Sequence, residues 1–350
     1  MSDASSGLNA IAALERNADL MTGRVGVIGL PMPHLPAGLD TGDAPALVVT
    51  EHAGLAEALT GSDRCRVSFG YDLPDDLGQP LDTLVLFVPK ARQALDMQLA
   101  MARALLVDGG RLVLVGEKRE GIAGAARQLQ ALAPDAHKVD SARHCQVWVA
   151  GLAGPPGTYD PLAWLQWHEL EAAGTRLAVA NMPGIFSDGR LDDGTARLLE
   201  SLADVPVAGP VLDFACGSGV IGAWLQVRNP DLGPVDAVDV QAQAVMCARQ
   251  TYQRNCARGE VIASDGLPAD LGRYRTIVTN PPFHSGVRTD TSMTERFLRD
   301  ARRHLQPGGE MRLVANRFLP YQPLLEQCVG PCRTLFEDRR FAVYQARVSS

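Results

Sequence analysis

The chain reads as an α/β protein of two tandem doubly wound domains, and three observations predict it. Apolar runs alternate with helix-period segments through the second half. The last two apolar runs enclose four charged residues, Glu337-Asp338-Arg339-Arg340, and read as a closing antiparallel hairpin. A strand followed by a Gly-Gly turn and a second strand occurs once in each half, in the same order.

In the second half the predicted order starts with a strand (Val207 to Phe214), a helix (Val220 to Arg228), a strand (Val235 to Val240) and a helix (Ala242 to Cys256). It continues with a short strand (Val261-Ile262), a strand (Thr276 to Thr279), a helix (Ser292 to Leu305), a strand (Met311 to Ala315), and the hairpin Arg333 to Phe336 with Phe341 to Val348. In the first half, Leu84 to Lys90 and then Leu105 to Val115 parallel Ile277 to Pro282 and then Leu305 to Val314. Aligning Val88-Pro89 on Asn280-Pro281 leaves the second half about seven residues longer before its Gly-Gly turn. In this alignment Val88 stands where the amide should be, and no Asp-x-x-x-Gly-x-Gly turn precedes it, so the first copy is expected to be inactive. The run Gly151-Leu152-Ala153-Gly154-Pro155-Pro156-Gly157 is the clearest linker. The expected partition is 1–150, a linker over 151–175, and a second domain over 176–350.

Composition narrows the class. The 350 residues are 46% hydrophobic with net charge −7, which suits ordinary cores and argues against a simple basic polyanion binder. No run of 18 apolar residues occurs, and the first residues lack a signal-peptide pattern, so a soluble cytoplasmic protein without membrane association is expected. Seven cysteines in no metal-like or paired spacing predict reduced thiols and no metal. The charge is uneven. Residues 1–150 hold 13 basic and 18 acidic side chains, whereas 273–350 hold 13 arginines against 7 acids. Arg296, Arg299 and Arg303 recur on one predicted helix face, with Arg302 beside them and Arg288 in the preceding loop, a pattern that suits a phosphate backbone or simply a solvated face.

Two motifs carry chemistry. The turn Asp213-Phe214-Ala215-Cys216-Gly217-Ser218-Gly219 follows a strand and opens a helix whose N-terminal amides face a ligand. Gly217, Gly219 and Gly222 also satisfy G-x-G-x-x-G with Asp239 about 20 residues on, so a nicotinamide dinucleotide has to be weighed. In either case Asp239 would accept from ribose hydroxyls, unless it merely caps the next helix. Ser264-Asp265 would lie near an adenine. Asn280-Pro281-Pro282-Phe283 separates the two ligands. Its amide oxygen and a proline-adjacent carbonyl form a fixed pair of acceptors for a planar exocyclic amine, and the aromatic ring suits the face of a base. A dehydrogenase has no need of it. Cys216 beside the glycine turn reads better as a small buried residue than as a nucleophile, and His284 is weakly placed as a base.

On these motifs the second half resembles the class I S-adenosylmethionine-dependent methyltransferases, and specifically the bacterial small-subunit (16S) rRNA guanine-N2 methyltransferases. Met182 to Ser187, Leu191 to Thr195, Val314 to Tyr321 and Arg340 to Tyr344 carry the likeness further, over roughly Asn181 to Val348. The resemblance implies two tandem Rossmann-like class I methyltransferase domains, the C-terminal one a seven-stranded mixed sheet, with an N-terminal copy lacking a working site. It places Asp213, Cys216, Gly217, Gly219, Asp239 and Asp265 around S-adenosylmethionine, and Asn280, Pro281 and Phe283 around the base. It also implies a guanine of 16S rRNA as substrate, expected in the 30S particle; a monomer is expected because the N-terminal copy can cover surface that a dimer would otherwise bury. Ala215 departs from the family, which usually has glycine there. Related loops serve 23S rRNA guanine-N2, adenine-N6 and protein-glutamine methylation, and a vestigial fold acting as an RNA-binding assembly factor is the non-enzymatic alternative.

Overall fold

The computed structural model describes residues 2–39, 44–73, 79–185, 189–281 and 291–349. They form two compact units, Met1–Trp164 and Leu165–Ser350. Among the described residues no helix is long and apolar enough to cross a membrane.

The first unit contains β1 (Val25–Ile28), β2 (Ala46–Thr50), β3 (Cys65–Phe69), β4 (Leu81–Phe87), β5 (Leu106–Glu117), β6 (His137–Ala142) and β7 (Cys145–Leu152). They form one sheet in the order β3-β2-β1-β4-β5-β7-β6, with β6 and β7 antiparallel. Helices α1 (Ser2–Glu15), α2 (Ala53–Leu59), α3 (Arg92–Leu105) and α4 (Ile122–Leu132) accompany it. The second unit opens with a hairpin, β8 (Gln166–Ala172) and β9 (Thr175–Asn181). Its first strand, β8, lies within the expected linker 151–175, whereas β9 falls almost wholly in the expected second domain. A second sheet follows: β10 (Val211–Phe214), β11 (Val235–Asp239), β12 (Val261–Ala263), β13 (Tyr274–Thr279), β14 (Leu305–Asn316), β15 (Cys332–Glu337) and β16 (Phe341–Arg347). Its order, β12-β11-β10-β13-β14-β16-β15, is that of the first sheet strand for strand. Parallel strands need crossovers, here α6 (Val220–Arg228), α7 (Ala242–Arg254) and α8 (Thr291–Arg303), and only the final pair turns back directly.

The predicted helices and strands of the second half are present, with β14 starting earlier, at Leu305. Two further helices, α5 (Asp193–Asp204) and α9 (Tyr321–Cys328), were not read from the sequence. α9 is short and carries Pro323 in its first turn, where a missing N–H costs nothing, so it lacks a long periodic signature.

Register corrects the internal alignment. Thr83 and Thr276 hold matching places between the first and fourth strands of their sheets, and Arg111 and Glu310 match beyond them. The residue aligned with Asn280 is therefore Phe87, one residue earlier than Val88. Phe87 to Gly109 then spans 22 residues against 28 from Asn280 to Gly308, so the surplus is six. A repeated strand shows a duplication by its pattern, but only pairing fixes its phase. The same register puts Val27 in the place equivalent to Asp213 and Thr50 in the place equivalent to Asp239. Both are buried, and neither offers a carboxylate. Gly29 occupies the place of Ala215, and both residues have positive φ, 75° and 56°. The turn survived in the first copy while its chemical groups did not.

Each strand of the second sheet alternates between two cores, as a pleated strand buried on both faces must. Val211 joins α5, α6, α7 and the β8-β9 hairpin on one face, and Leu212 joins α8 and α9 on the other. Trp224 is fully buried in the first core and donates to the Ala172 carbonyl at 2.9 Å, tying α6 to the hairpin. Thr251 and Asn255 on α7 hydrogen-bond the β9 backbone at Ala180 and Ala178.

Candidate active site

The site lies at the carboxyl ends of β10, β11 and β13, where a doubly wound sheet reverses its strand order. Phe214 pairs with Thr279 as the last register partners of β10 and β13, so the glycine turn and Asn280 leave adjacent strands side by side.

The turn is held from both flanks. Asp213 is fully buried, and its Oδ2 accepts from the Gly222 N–H at 3.0 Å. Asp239 Oδ2 accepts from the Gly217 N–H at 2.8 Å and its Oδ1 from the Gln241 N–H at 3.0 Å, while the Cys216 N–H reaches the Val238 carbonyl at 3.1 Å. Asp239 thus anchors Gln241, the N-cap of α7, and braces the turn while keeping lone pairs on both oxygens. Ala215, Gly217 and Gly219 have φ of 56°, 54° and 75°. This left-handed geometry suits glycine and strains alanine.

The three glycines differ in purpose. A Cβ on Gly222 would lie 1.8 Å from the Tyr252 hydroxyl, and one on Gly219 3.0 Å from Ala248. Those two allow α6 and α7 to approach. A Cβ on Gly217 would meet nothing within 4 Å, so Gly217 is the glycine that faces open space.

Burial governs the electrostatics. It lifts the Asp213 carboxyl to about 8, with the Gly222 N–H opposing and the Asp239 charge reinforcing the shift. Asp239 is raised too, by burial first, against three backbone N–H groups. Burial, then Asp213 and Asp239, push the Cys216 thiol well above its ordinary value. A thiol held protonated in this way is no nucleophile.

Asn280 is positioned by residues that sequence reasoning did not single out. Its Nδ2 donates to Asp192 Oδ2 at 2.8 Å and to Thr195 Oγ1 at 2.9 Å. Asp192 is also the N-cap of α5, accepting from the Thr195 N–H at 2.8 Å. Both amide hydrogens being committed to acceptors, the amide cannot flip, and Oδ1 is left facing away as an acceptor. A cap signature, Asp-Asp-Gly-Thr before an amphipathic run, was visible in the sequence, but its reach to Asn280 was not.

Pro281 is buried directly after Asn280, and Asp265 is exposed just beyond Ser264, whose N–H bonds the Asp239 carbonyl at 3.0 Å. Phe283, His284 and Arg288 lie outside the described residues. Arg296, Arg299 and Arg303 are exposed on α8, where Arg299 pairs with Glu295 at 2.9 Å and Arg303 with Asp300 at 2.7 Å. Arg302 turns instead to the Val329 carbonyl at 3.0 Å, beyond the end of α9.

Comparison with known proteins gives a consistent picture. The methyltransferase small domain model matches residues 176–345, and the methyltransferase small domain N-terminal model matches residues 12–168. The ribosomal RNA small subunit methyltransferase C of Pseudomonas putida (strain W619) is 44% identical over 333 residues, covering 95% of this chain and 97% of that protein. Its counterpart in Hahella chejuensis (strain KCTC 2396) is 41% identical over 347 residues, covering 97% and 98%. Among solved structures, the Thermus thermophilus 16S rRNA N2 G1207 methyltransferase (RsmC), in complex with AdoMet and guanosine, superposes with a TM-score of 0.84 over 97% of this chain and 91% of that one, at 24% identity. With near full-length identity above 40% to curated members, the chain belongs to the ribosomal RNA small subunit methyltransferase C family.

Proposed function

We propose that this protein transfers a methyl group from S-adenosylmethionine to the exocyclic N2 amine of a guanine in 16S rRNA, with the 30S particle as substrate. The observation that carries this reading is the amide of Asn280, fixed through its Nδ2 at the end of β13, the strand next to the one that leads into the glycine turn. The relative crystallised with AdoMet and guanosine supports the same pairing of ligands.

The residues fit the cofactor. Gly217 offers a cradle that a Cβ would fill, Asp239 has acceptor capacity for ribose hydroxyls, and Asp265 stands on the loop that would flank an adenine. When bound, S-adenosylmethionine supplies an electrophilic methyl group on a sulfonium. The chain's own part is positioning. A flipped guanine donates its two N2 hydrogens to Asn280 Oδ1 and the Pro281 carbonyl, which draws the nitrogen lone pair out of conjugation and aims it along the line of transfer. Phe283 is proposed to stack on the ring. Burial favours the neutral form of Asp213, whose Oδ2 accepts from the Gly222 N–H and so braces the turn from beneath. The N-terminal unit, with Val27, Thr50 and Phe87 at the equivalent positions, contributes no second site and acts in binding or stability of a monomeric enzyme.

The test is incubation with tritiated S-adenosylmethionine and, separately, 30S particles, 50S particles and naked rRNAs from a strain lacking the enzyme, followed by nucleoside analysis. N2-methylguanosine in the 30S sample is expected. Label confined to 23S rRNA, adenine or protein would discard this substrate, and absence of cofactor binding would leave a non-catalytic RNA-binding factor.

A further inference from the structure

β14 outruns its neighbour. Its last partner on β13 is Leu313, opposite Thr279, yet the strand continues to Asn316, which pairs with Phe341 on β16. Three more residues at about 3.3 Å each raise a wall roughly 10 Å tall beside Asn280. Arg317 and Phe318 stand on top of it.

Phe318 is 80% exposed, whereas the next most exposed large apolar side chain among the described residues, Leu8, is 54% exposed. A lone exposed apolar residue is ordinary. This one differs in its mounting and its surroundings. The Leu319 N–H bonds the Asn316 carbonyl at 3.0 Å, and the Leu319 side chain packs on the second core, so the backbone is fixed while the ring is left out. Arginines occupy the same rim. The Arg317 N–H donates to the Arg340 carbonyl at 2.8 Å, which joins the turn before α9 to the β15-β16 turn that also holds exposed Arg339.

The rim is continuous with the site. Arg340 pairs with Asp193 at 2.7 Å, and Asp193 adjoins Asp192, the residue that holds the Asn280 amide. The pairs of Arg340 with Asp193 and of Arg317 with Glu337 are solvent-exposed on both sides, hence weak enough to exchange for phosphate oxygens.

We propose that Phe318 is a stacking platform for a nucleobase flanking the target guanine, with Arg317, Arg339 and Arg340 holding the adjoining phosphates; the inference rests on the RNA reading of the site. An aromatic face accepts any base, and arginines beside it track the backbone without reading sequence. Such a platform keeps the unstacked strand in place while the guanine turns into the pocket.

The experiment is steady-state methylation of 30S particles lacking the modification, with full-length wild type, Phe318→Ala, Phe318→Trp, Phe318→Leu and Arg317→Ala, alongside calorimetric S-adenosylmethionine binding. Phe318→Ala should raise KM for the particle on the order of tenfold while cofactor affinity stays within about twofold. Phe318→Trp should restore KM and Phe318→Leu should not, while Arg317→Ala should flatten the salt dependence of kcat/KM by about one phosphate contact. An unchanged KM in Phe318→Ala, full rescue by leucine, or loss of cofactor binding would overturn the platform. Wild type that binds cofactor but forms no N2-methylguanosine would instead overturn the underlying reading, and the platform with it.

Discussion

Asn280 Nδ2 lies 2.8 Å from Asp192 Oδ2, and this contact joins the end of β13 to the cap of α5 across 88 residues of sequence. One carboxylate therefore starts a helix and fixes which way an amide faces. Asn280→Ala should lower kcat on the order of 100-fold and leave S-adenosylmethionine affinity within a few-fold, because the lost acceptor serves the amine alone. Single-turnover kinetics with parallel calorimetry checks it; equal loss in both would reassign Asn280 to the cofactor.

Thr195→Val separates positioning from folding. It keeps the backbone N–H that Asp192 caps and removes the Oγ1 acceptor that holds Asn280. Turnover should fall on the order of 10-fold with little change in stability, whereas Asp192→Ala should also lose about 1 kcal/mol of helix capping. Urea denaturation run beside the kinetics distinguishes the two.

Asp213 should make the protein's stability depend on pH. Its folded value, about 8, exceeds the unfolded aspartate value, so the native state binds the extra proton between them. Stability from this group is fully present at acid pH and is lost as pH rises from about 4 to about 8, at up to roughly 1.4 kcal/mol per pH unit. Asp213→Asn should remove that slope. The difference between wild type and variant in urea titrations at pH 5, 6, 7 and 8 reads the slope that Asp213 and its coupling to Asp239 contribute, and parallel curves would place the Asp213 carboxyl in an ordinary range.

Ala215→Gly should stabilise the protein by about 0.5–1 kcal/mol. Its φ of 56° costs an alanine roughly 1–2 kcal/mol, partly offset by the greater entropy of glycine in the unfolded chain. Cofactor affinity should hold or improve, and a lower urea midpoint would show that the alanine is not strained.

Gly217→Ala and Gly222→Ala should fail in different ways. At Gly222 the added methyl collides with the Tyr252 hydroxyl and should cost about 1–3 kcal/mol of stability. At Gly217 it enters open space, so the cost is the same roughly 1–2 kcal/mol of backbone strain as at Ala215, without a collision, while cofactor affinity falls by about tenfold or more. Thermal unfolding and calorimetry on both variants decide whether only Gly217 faces the ligand.

Much of this molecule was legible in its sequence. Val220–Arg228 is a helix with the bounds its apolar period gave, and the acidic-glycine turn and Asn280-Pro281 each follow a strand, as the apolar runs before them implied. Periodicity and turn chemistry are local properties, set by side chains within a few residues, so a sequence displays them directly. The duplication was legible too, but its phase was not. Phe87 rather than Val88 stands at the Asn280 position because cross-strand hydrogen bonds set register, and they join residues far apart in the chain. Tertiary structure alone decided that Asp192 and Thr195 hold the Asn280 amide, that Gly219 and Gly222 serve packing while Gly217 faces outward, and that Arg302 bonds the chain beyond α9 instead of joining the α8 arginine face. Each of these depends on which side chain meets which across the fold. Burial, which lifts Asp213 and silences Cys216, likewise exists only once the sheet and its helices have closed over them.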